Sequence, residues 1–422
     1  MNEAEKAYKA AEDEIASVAS AGKTRLDLTA QCFEKLRHIP PSITQLDGPL
    51  RIRLDGTDVE DISILKKLPQ LEALNIDRRP VTDLATVEHL TSLKDLSLSD
   101  MDINDLSPLR TLTNLEKLNL SNTKIENLQG IEGLTALREL DIPWSQVNDI
   151  SAASNLKALQ HLHMQNTLID NIDALESLTE LEDIVLDSTS ISNIEALRGC
   201  AKLAHLRISD TNVRDLSPLE NLTSLVSFEA CETPVGDITP LQQNTGLKRL
   251  SILRSNVKDI TALQDLQKLE RVSLAFTRVS NISALKNKPV LWSLELSETR
   301  ITDLTPLKDL KKLRHLMLRN TPISDLSPLC DLPALSDLNI SFTQVDDLGQ
   351  LLGLQQFGEN HRFSVQFEGI DQIKTDPALE QLSQIGNAND RSEQTYNYLK
   401  AKKSDSVTLP IIGRLRALFS KS

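Results

Sequence analysis

The chain has 422 residues, a formal net charge of −14 and an aromatic content of only 3%. That surplus of acid argues against nonspecific nucleic-acid binding over most of the surface, and the scarcity of rings requires an aliphatic core. No run approaches about 18 uninterrupted apolar residues, so no membrane-spanning helix is expected.

Met1 to Ile15 is charged and Ala-rich, without the basic-then-apolar pattern of a signal peptide, so none is expected. Residues 3–20 predict a helix, with Tyr8, Ala11, Ile15 and Val18 at helical spacing. Thr24–Leu28 predicts a short strand, and Leu36, Ile39, Ile43 and Leu46 continue an aberrant first repeat that bends at Pro40-Pro41. Residues 1–49 together read as an N-terminal helical cap with that first repeat.

From residue 50 a period takes over. Leucine returns every 22 residues from Leu71 through Leu93, Leu115 and so on to Leu335, after one degenerate unit around Ile52 and Leu54, which makes about 14 units over residues 50–354. A fixed period built on Leu-x-x-Leu-x-Leu is the signature of a leucine-rich repeat solenoid. In Leu115–Leu120 apolar and polar residues alternate, which predicts a strand with Leu118 and Leu120 inward and Lys117 and Asn119 outward. Parallel stacking of such strands needs a crossover, which the rest of each unit supplies.

Two further columns carry polar residues. The ninth position, counting the leucine as first, is Thr or Ser in twelve of 14 units, Arg79 and Met101 being the exceptions. These hydroxyls are expected to form a ladder that satisfies backbone groups at the bend. The thirteenth position is Asp or Asn in every unit, from Asp61 and Asp83 to Asp347. A file of carboxylates can suggest calcium, but four members are neutral Asn, and short Asx side chains folding back at turns explain the column better. Asp-Leu-Ser-Pro-Leu follows at 105–109, 215–219 and 325–329, where Ser-Pro predicts the N-cap and first residue of a short helical turn.

The period stops after Leu354. Residues 355–403 read as a C-terminal cap: Phe363, Val365 and Phe367 alternate as a closing strand, Asp376-Pro377 starts a helix to about Ile385, and Asp390 caps another to Lys400. Residues 404–422 form a basic amphipathic tail, with Ile411, Ile412, Leu415, Leu418 and Phe419 on one helical face beside Arg414, Arg416 and Lys421. It can pack on the protein itself, touch a partner or make weak contact with an anionic membrane, and self-packing or disorder is the expectation.

The unit Ile-x-Asp-Leu-Ser-Pro-Leu-x-x-Leu resembles the bacterial internalin-like repeats. It is also similar to the 22-residue short-repeat family that includes a regulatory subunit of a eukaryotic protein phosphatase. The resemblance covers residues 50–354. It implies an α/β solenoid: a right-handed leucine-rich repeat horseshoe with a parallel sheet on its concave face, short helical or 3-10 turns on the convex face and helical caps at both ends. Thr in place of Asn at the ninth position points to a bacterial subfamily. Proteins on this scaffold differ in their partners.

A partner is expected on the concave face, at positions 3, 5, 7 and 8 of each unit. There units 1–9 carry eleven acids against five bases, whereas units 10–13 carry four arginines against two acids. Trp, Tyr and Arg most often anchor interfaces, which selects Trp144, Arg249, Leu253, Arg254, Arg271, Phe276, Met317, Arg319 and Phe342 as candidate partner-binding residues. For Phe276 and Phe342 the competing reading is that the rings tuck under the loop beside the Thr column. His161, His163, His205 and His315 share the face, but two strand spacings, roughly 10 Å, separate His205 from the first pair, which argues against a metal site.

No Ser-His-Asp arrangement, phosphate loop or paired acids suggest chemistry, so no enzymatic activity and no cofactor are expected. Cys32, Cys200, Cys231 and Cys330 are far apart and match neither a disulfide cap nor a zinc spacing; Cys200 falls on a core leucine position. Free thiols in a reducing cytosol are expected. The resulting expectation is a cytoplasmic, monomeric scaffold that binds a protein partner and not nucleic acid. The alternatives are a secreted bacterial effector acting on host proteins, or a subunit resembling the phosphatase regulator.

Overall fold

The computed structural model describes residues 1–78, 84–358 and 363–419, with side chains described through residue 404. The chain divides into two compact units, Met1–Leu225 and Val226–Ser422. Each is a leucine-rich repeat solenoid of parallel strands joined by 3-10 turns.

In the first unit nine strands of three to five residues follow one another in chain order, from Arg25–Asp27 to His205–Arg207. Register is set by the period: Lys117, Leu118 and Asn119 face Glu139, Leu140 and Asp141, one repeat on. The second unit has seven three-residue strands, from Ser227–Glu229 to Ser364–Gln366, with Arg249, Leu250 and Ser251 facing Arg271, Val272 and Ser273. The core columns are those of Leu115, Leu118, Leu120, Ile125, Leu128, Ile131 and Leu134, and these seven residues are each at 1% exposure or less. Cys200 is fully buried where other repeats place leucine, as expected, and burial pushes its thiol up to about 11.

The eighth residue of each repeat leaves the strand in the left-handed region, from Arg78 (φ 57°) and Asp100 (φ 59°) to Phe342 (φ 60°). Its N–H donates to the seventh carbonyl of the next repeat: Trp144 to Gln165 O at 3.1 Å, Arg254 to Ala275 O at 2.9 Å, Phe276 to Ser297 O at 2.9 Å. A conformation that costs non-glycine residues about 1–2 kcal/mol is thus held by its neighbour.

The hydroxyl column satisfies backbone groups at the bend, as expected, and does so locally. Instead of a ladder between repeats, ten of the ninth-position hydroxyls donate within their own repeat to the carbonyl three residues back. Thr211 Oγ1 reaches Ile208 O at 2.7 Å, and Thr299 Oγ1 reaches Leu296 O at 2.6 Å. The turn brings that carbonyl closer than any neighbouring hydroxyl. Met101 fills its place in the column as a buried apolar group, and the buried Ser255 hydroxyl has no partner. Arg79 lies outside the described residues.

The Asx column behaves as a row of turns. In all thirteen described members the side chain accepts the N–H two residues on, at 2.6–3.0 Å; Asp83 lies outside the described residues. The backbone N–H of Ser107 and Ser217 holds the carboxyls of Asp105 and Asp215 below the usual range. This corrects the expected caps. Ser107 is the first residue of its 3-10 turn, not its N-cap, and its hydroxyl donates back to Asp105 at 2.7 Å. The acceptor for the turn's free N–H is the Asx.

At the N-terminus, helix α1 runs Glu3–Ser20 with a capping box between Asn2 and Glu5. Ala7, Ala11, Ile15 and Val18 are its buried residues; Ala7 takes the place expected of Tyr8. At the other end Ser364–Gln366 pairs with Asp337–Asn339. Two short helices follow, α2 (Asp371–Thr375) and α3 (Pro377–Ser383), and then the long α4 (Ala388–Phe419). Asp376 caps α3 as expected. Asp390 does not cap α4: Asn387 does, accepting the N–H groups of Asn389 and Asp390 at 2.9 and 3.1 Å. Helix α4 also passes Lys400 and enters the basic tail, whose side chains lie outside those described. Arg391 pins α4 to the sheet, donating to Val365 O at 2.7 Å and Ile385 O at 2.6 Å.

The local hydroxyl bonds make a graded stability test. Thr211→Val leaves the Ile208 carbonyl unsatisfied in a buried turn and is expected to cost about 1–2 kcal/mol in urea denaturation. Ser255→Ala removes an unpaired hydroxyl and should stay within about 0.5 kcal/mol of the parent. Equal losses from the two would contradict the structural role given to the column.

Candidate functional site

Eight of the nine residues selected from the sequence lie in the second unit; Trp144 belongs to the first. Their placement follows from the repeat. Third-position Arg249 and Arg271 are register partners on adjacent strands and both are exposed. Fifth-position Met317 and seventh-position Leu253 are half-buried, and seventh-position Arg319 is exposed. Trp144, Arg254, Phe276 and Phe342 all fall on the left-handed eighth position.

The two phenylalanines are not tucked away. Phe276 is 45% exposed and Phe342 43%, and Trp144 reaches 63%. Arginines lie over the two rings instead: the Arg254 guanidinium is 4.9 Å from the Phe276 centroid and that of Arg319 is 4.3 Å from Phe342. Arg254 also pairs with Glu232 of the preceding repeat at 3.1 Å. One edge of Phe342 rests on Gly369 (φ 67°), where any Cβ would stand 2.3 Å from the ring. The result is a row of half-exposed aromatic faces capped by cations, each such contact contributing about 0.5–1 kcal/mol at an exposed site.

Trp292 is a functional candidate that sequence reasoning missed. It sits at the second position, with the Arg271 guanidinium 5.3 Å from its ring and the His315 ring edge-on at 5.6 Å. The signal was a lone tryptophan in a column otherwise filled by residues such as Lys94, Glu116, Lys248 and Glu270.

The first unit carries a different feature. His163 Nδ1 lies 2.7 Å from Asp141, in the same column one repeat back, and its Nε2 lies 3.9 Å from Asp183. Hydrogen bonding to Asp141, then to Asp183, pushes the imidazole up to about 9, and His163 in turn holds the Asp183 carboxyl down. The group is a cation between two carboxylates. Among the described residues no cluster of His, Cys, Asp or Glu has the arrangement of a metal site.

With this geometry in place, the class is clear: a short-period parallel ladder with 3-10 crossovers defines a leucine-rich repeat protein. A family model described as "Leucine Rich repeats (2 copies)" matches residues 91–133, 113–158, 291–330 and 311–353. The chain is similar to an internalin, InlF, of Listeria monocytogenes, at 29% identity and a TM-score of 0.66, over 72% of this chain and 93% of that one. A leucine-rich repeat protein of Leptospira interrogans superposes with a TM-score of 0.66 at 20% identity, over 78% and 93% of the two chains. The leucine-rich repeat ectodomain of the Arabidopsis thaliana receptor kinase GASSHO1, solved in complex with CASPARIAN STRIP INTEGRITY FACTOR 2, gives a TM-score of 0.61 at 18% identity, over 84% and 51%. No curated protein matches in sequence. The chain has the leucine-rich repeat fold, with repeats similar to those of InlF; that fold is typically non-enzymatic and commonly serves protein–protein interaction.

The half-buried cation gives a pH signature. His163 is expected to stay charged through neutral pH, so its contribution to stability is fully present below about pH 6.5 and is lost as pH rises through about 9. Chemical denaturation of the parent should show that loss between pH 7 and 10, and His163→Gln should remove most of it. An imidazole resonance titrating near pH 6.5 would contradict the assignment.

Proposed function

We propose that the chain is a non-catalytic scaffold that holds a protein partner on the strand face of its second unit. The observation that carries the reading is the choice of residue at the eighth position. That position demands φ near +57°, which Gly, Asn and Asp adopt most cheaply, and Gly56, Asn122, Asn166, Asp210 and Asn320 occupy it elsewhere. Phe276 and Phe342 are expensive there and leave almost half of each ring in water. Folding alone gives no reason to keep them. Contact does: rigid aromatic faces with arginines across them are the groups that anchor interfaces. Trp144 makes the same argument for the first unit.

The receptor kinase ectodomain solved in complex with CASPARIAN STRIP INTEGRITY FACTOR 2 supports partner recognition on this kind of scaffold. The four free cysteines, Cys32 among them on the surface, favour a reducing compartment and hence the cytoplasm.

The double variant Phe276→Asn/Phe342→Asn separates binding from folding. Asparagine suits the left-handed backbone, so the variant should be as stable as the parent or more stable by about 1 kcal/mol. In affinity capture from the source organism, proteins held by the parent should be lost to the variant. Undiminished capture by a folded double variant would remove the surface from consideration.

A further inference from the structure

The strand face of the second unit contains a groove of about 390 Å³ whose lining includes Arg249, Arg271, Ser273 and Ser293, with Glu229 and Glu295 at its ends. Arg249 and Arg271 stand side by side in register, about 4.8 Å apart at the backbone. Neither has an ion pair among the described residues. Most other outward charges do: Lys117 holds Glu139, Arg254 holds Glu232 and Arg78 holds Asp100. Two like charges on neighbouring strands, neither in an ion pair, repel each other, and an anion shared between them relieves that repulsion. The Ser273 and Ser293 hydroxyls make no hydrogen bond among the described residues and are available as donors. Trp292, under the Arg271 guanidinium, restricts where that fork can point.

We infer that this groove takes a phosphorylated side chain of the bound protein, the phosphoryl group shared by Arg249 and Arg271 and donated to by Ser273 and Ser293. The inference rests on the reading that this face binds a protein. Charge decides the group: a carboxylate neutralises one guanidinium, whereas a phosphoryl group at neutral pH carries close to two charges and three acceptor oxygens for two forks and two hydroxyls. The flanking acids decide its setting. Glu229 lies on the strand before Arg249, and Glu295 on the strand after Arg271, its carboxylate accepting the Ser297 N–H at 3.0 Å. A continuous polyanion laid along the face meets both acids, so the site admits one compact anion on a chain that is not itself strongly acidic. The groove exceeds the volume of a phosphoryl group, which leaves room for the side chain that carries it.

Calorimetric titration of the full chain with inorganic phosphate, and with a short acetylated peptide bearing one phosphoserine or glutamate in its place, tests the inference. The phosphoserine peptide should bind more tightly than its glutamate counterpart, and both it and phosphate should weaken about tenfold for each arginine removed in Arg249→Gln and Arg271→Gln. Ser273→Asp, which puts a carboxylate in the floor, should abolish both, while Lys124→Gln in the first unit should change nothing. Equal binding of the two peptides, or undiminished phosphate binding by Arg249→Gln/Arg271→Gln, would overturn the phosphoryl assignment. Partner capture that needs Phe276 and Phe342 yet survives phosphatase treatment would also overturn it, while leaving the protein-binding face intact.

Discussion

The hydrogen bond from the eighth residue's N–H to the seventh carbonyl of the next repeat governs how this protein presents its surface. It extends the parallel ladder beyond the three-residue strands and locks each repeat into a left-handed turn, as at Trp144, Arg254 and Phe276. The Thr hydroxyl behind it caps a carbonyl of the same turn, and the Asx side chain four residues further on opens the 3-10 crossover. Strand and left-handed turn are thereby repeated every 22 residues, and the crossover varies in the length of its 3-10 turn, which is absent between Lys117–Asn119 and Glu139–Asp141. What varies is the side chain projecting from each fixed point.

That constraint separates residues required by the fold from residues the fold merely tolerates. A leucine in the core columns and an Asx at the crossover are what stacking requires. A phenylalanine on the left-handed position is tolerated against its own backbone preference, and two adjacent arginines without an ion pair are tolerated against their mutual repulsion. Phe276, Phe342 and the Arg249–Arg271 pair all belong to the second unit, and Trp144 makes the aromatic departure in the first. The first unit pairs several of its outward charges internally, as in Lys117–Glu139 and the Asp141–His163–Asp183 arrangement.

Much of this was legible in the sequence, because a strict period turns sequence columns into spatial neighbours. The strands, the core, the Asx turns and the helix at Glu3–Ser20 all follow from spacing. The left-handed eighth position was legible too, in Gly56, Asn122, Asn166 and Asn320, but only once backbone conformation is asked of the column and not merely polarity. His163 shares a column with Asp141, yet a search for metal ligands passes over a cation between two acids. Two features lay beyond period arguments. The hydroxyl bonds are local because turn geometry, not column spacing, sets the nearest acceptor. The continuation of α4 into the tail and its cap at Asn387 depend on packing outside the repeat, where Arg391 ties the helix to the closing strand.

The central claim is that a protein partner rests on the row of left-handed positions in the second unit. Site-specific photocrosslinking tests it most directly, with a benzophenone side chain placed in turn at residue 276, at residue 342 and at residue 309 on the crossover side, and the full chain expressed in its own cells. The account predicts crosslinked protein adducts from 276 and 342 and none from 309. Adducts from 309 alone would place the partner on the opposite surface and contradict it.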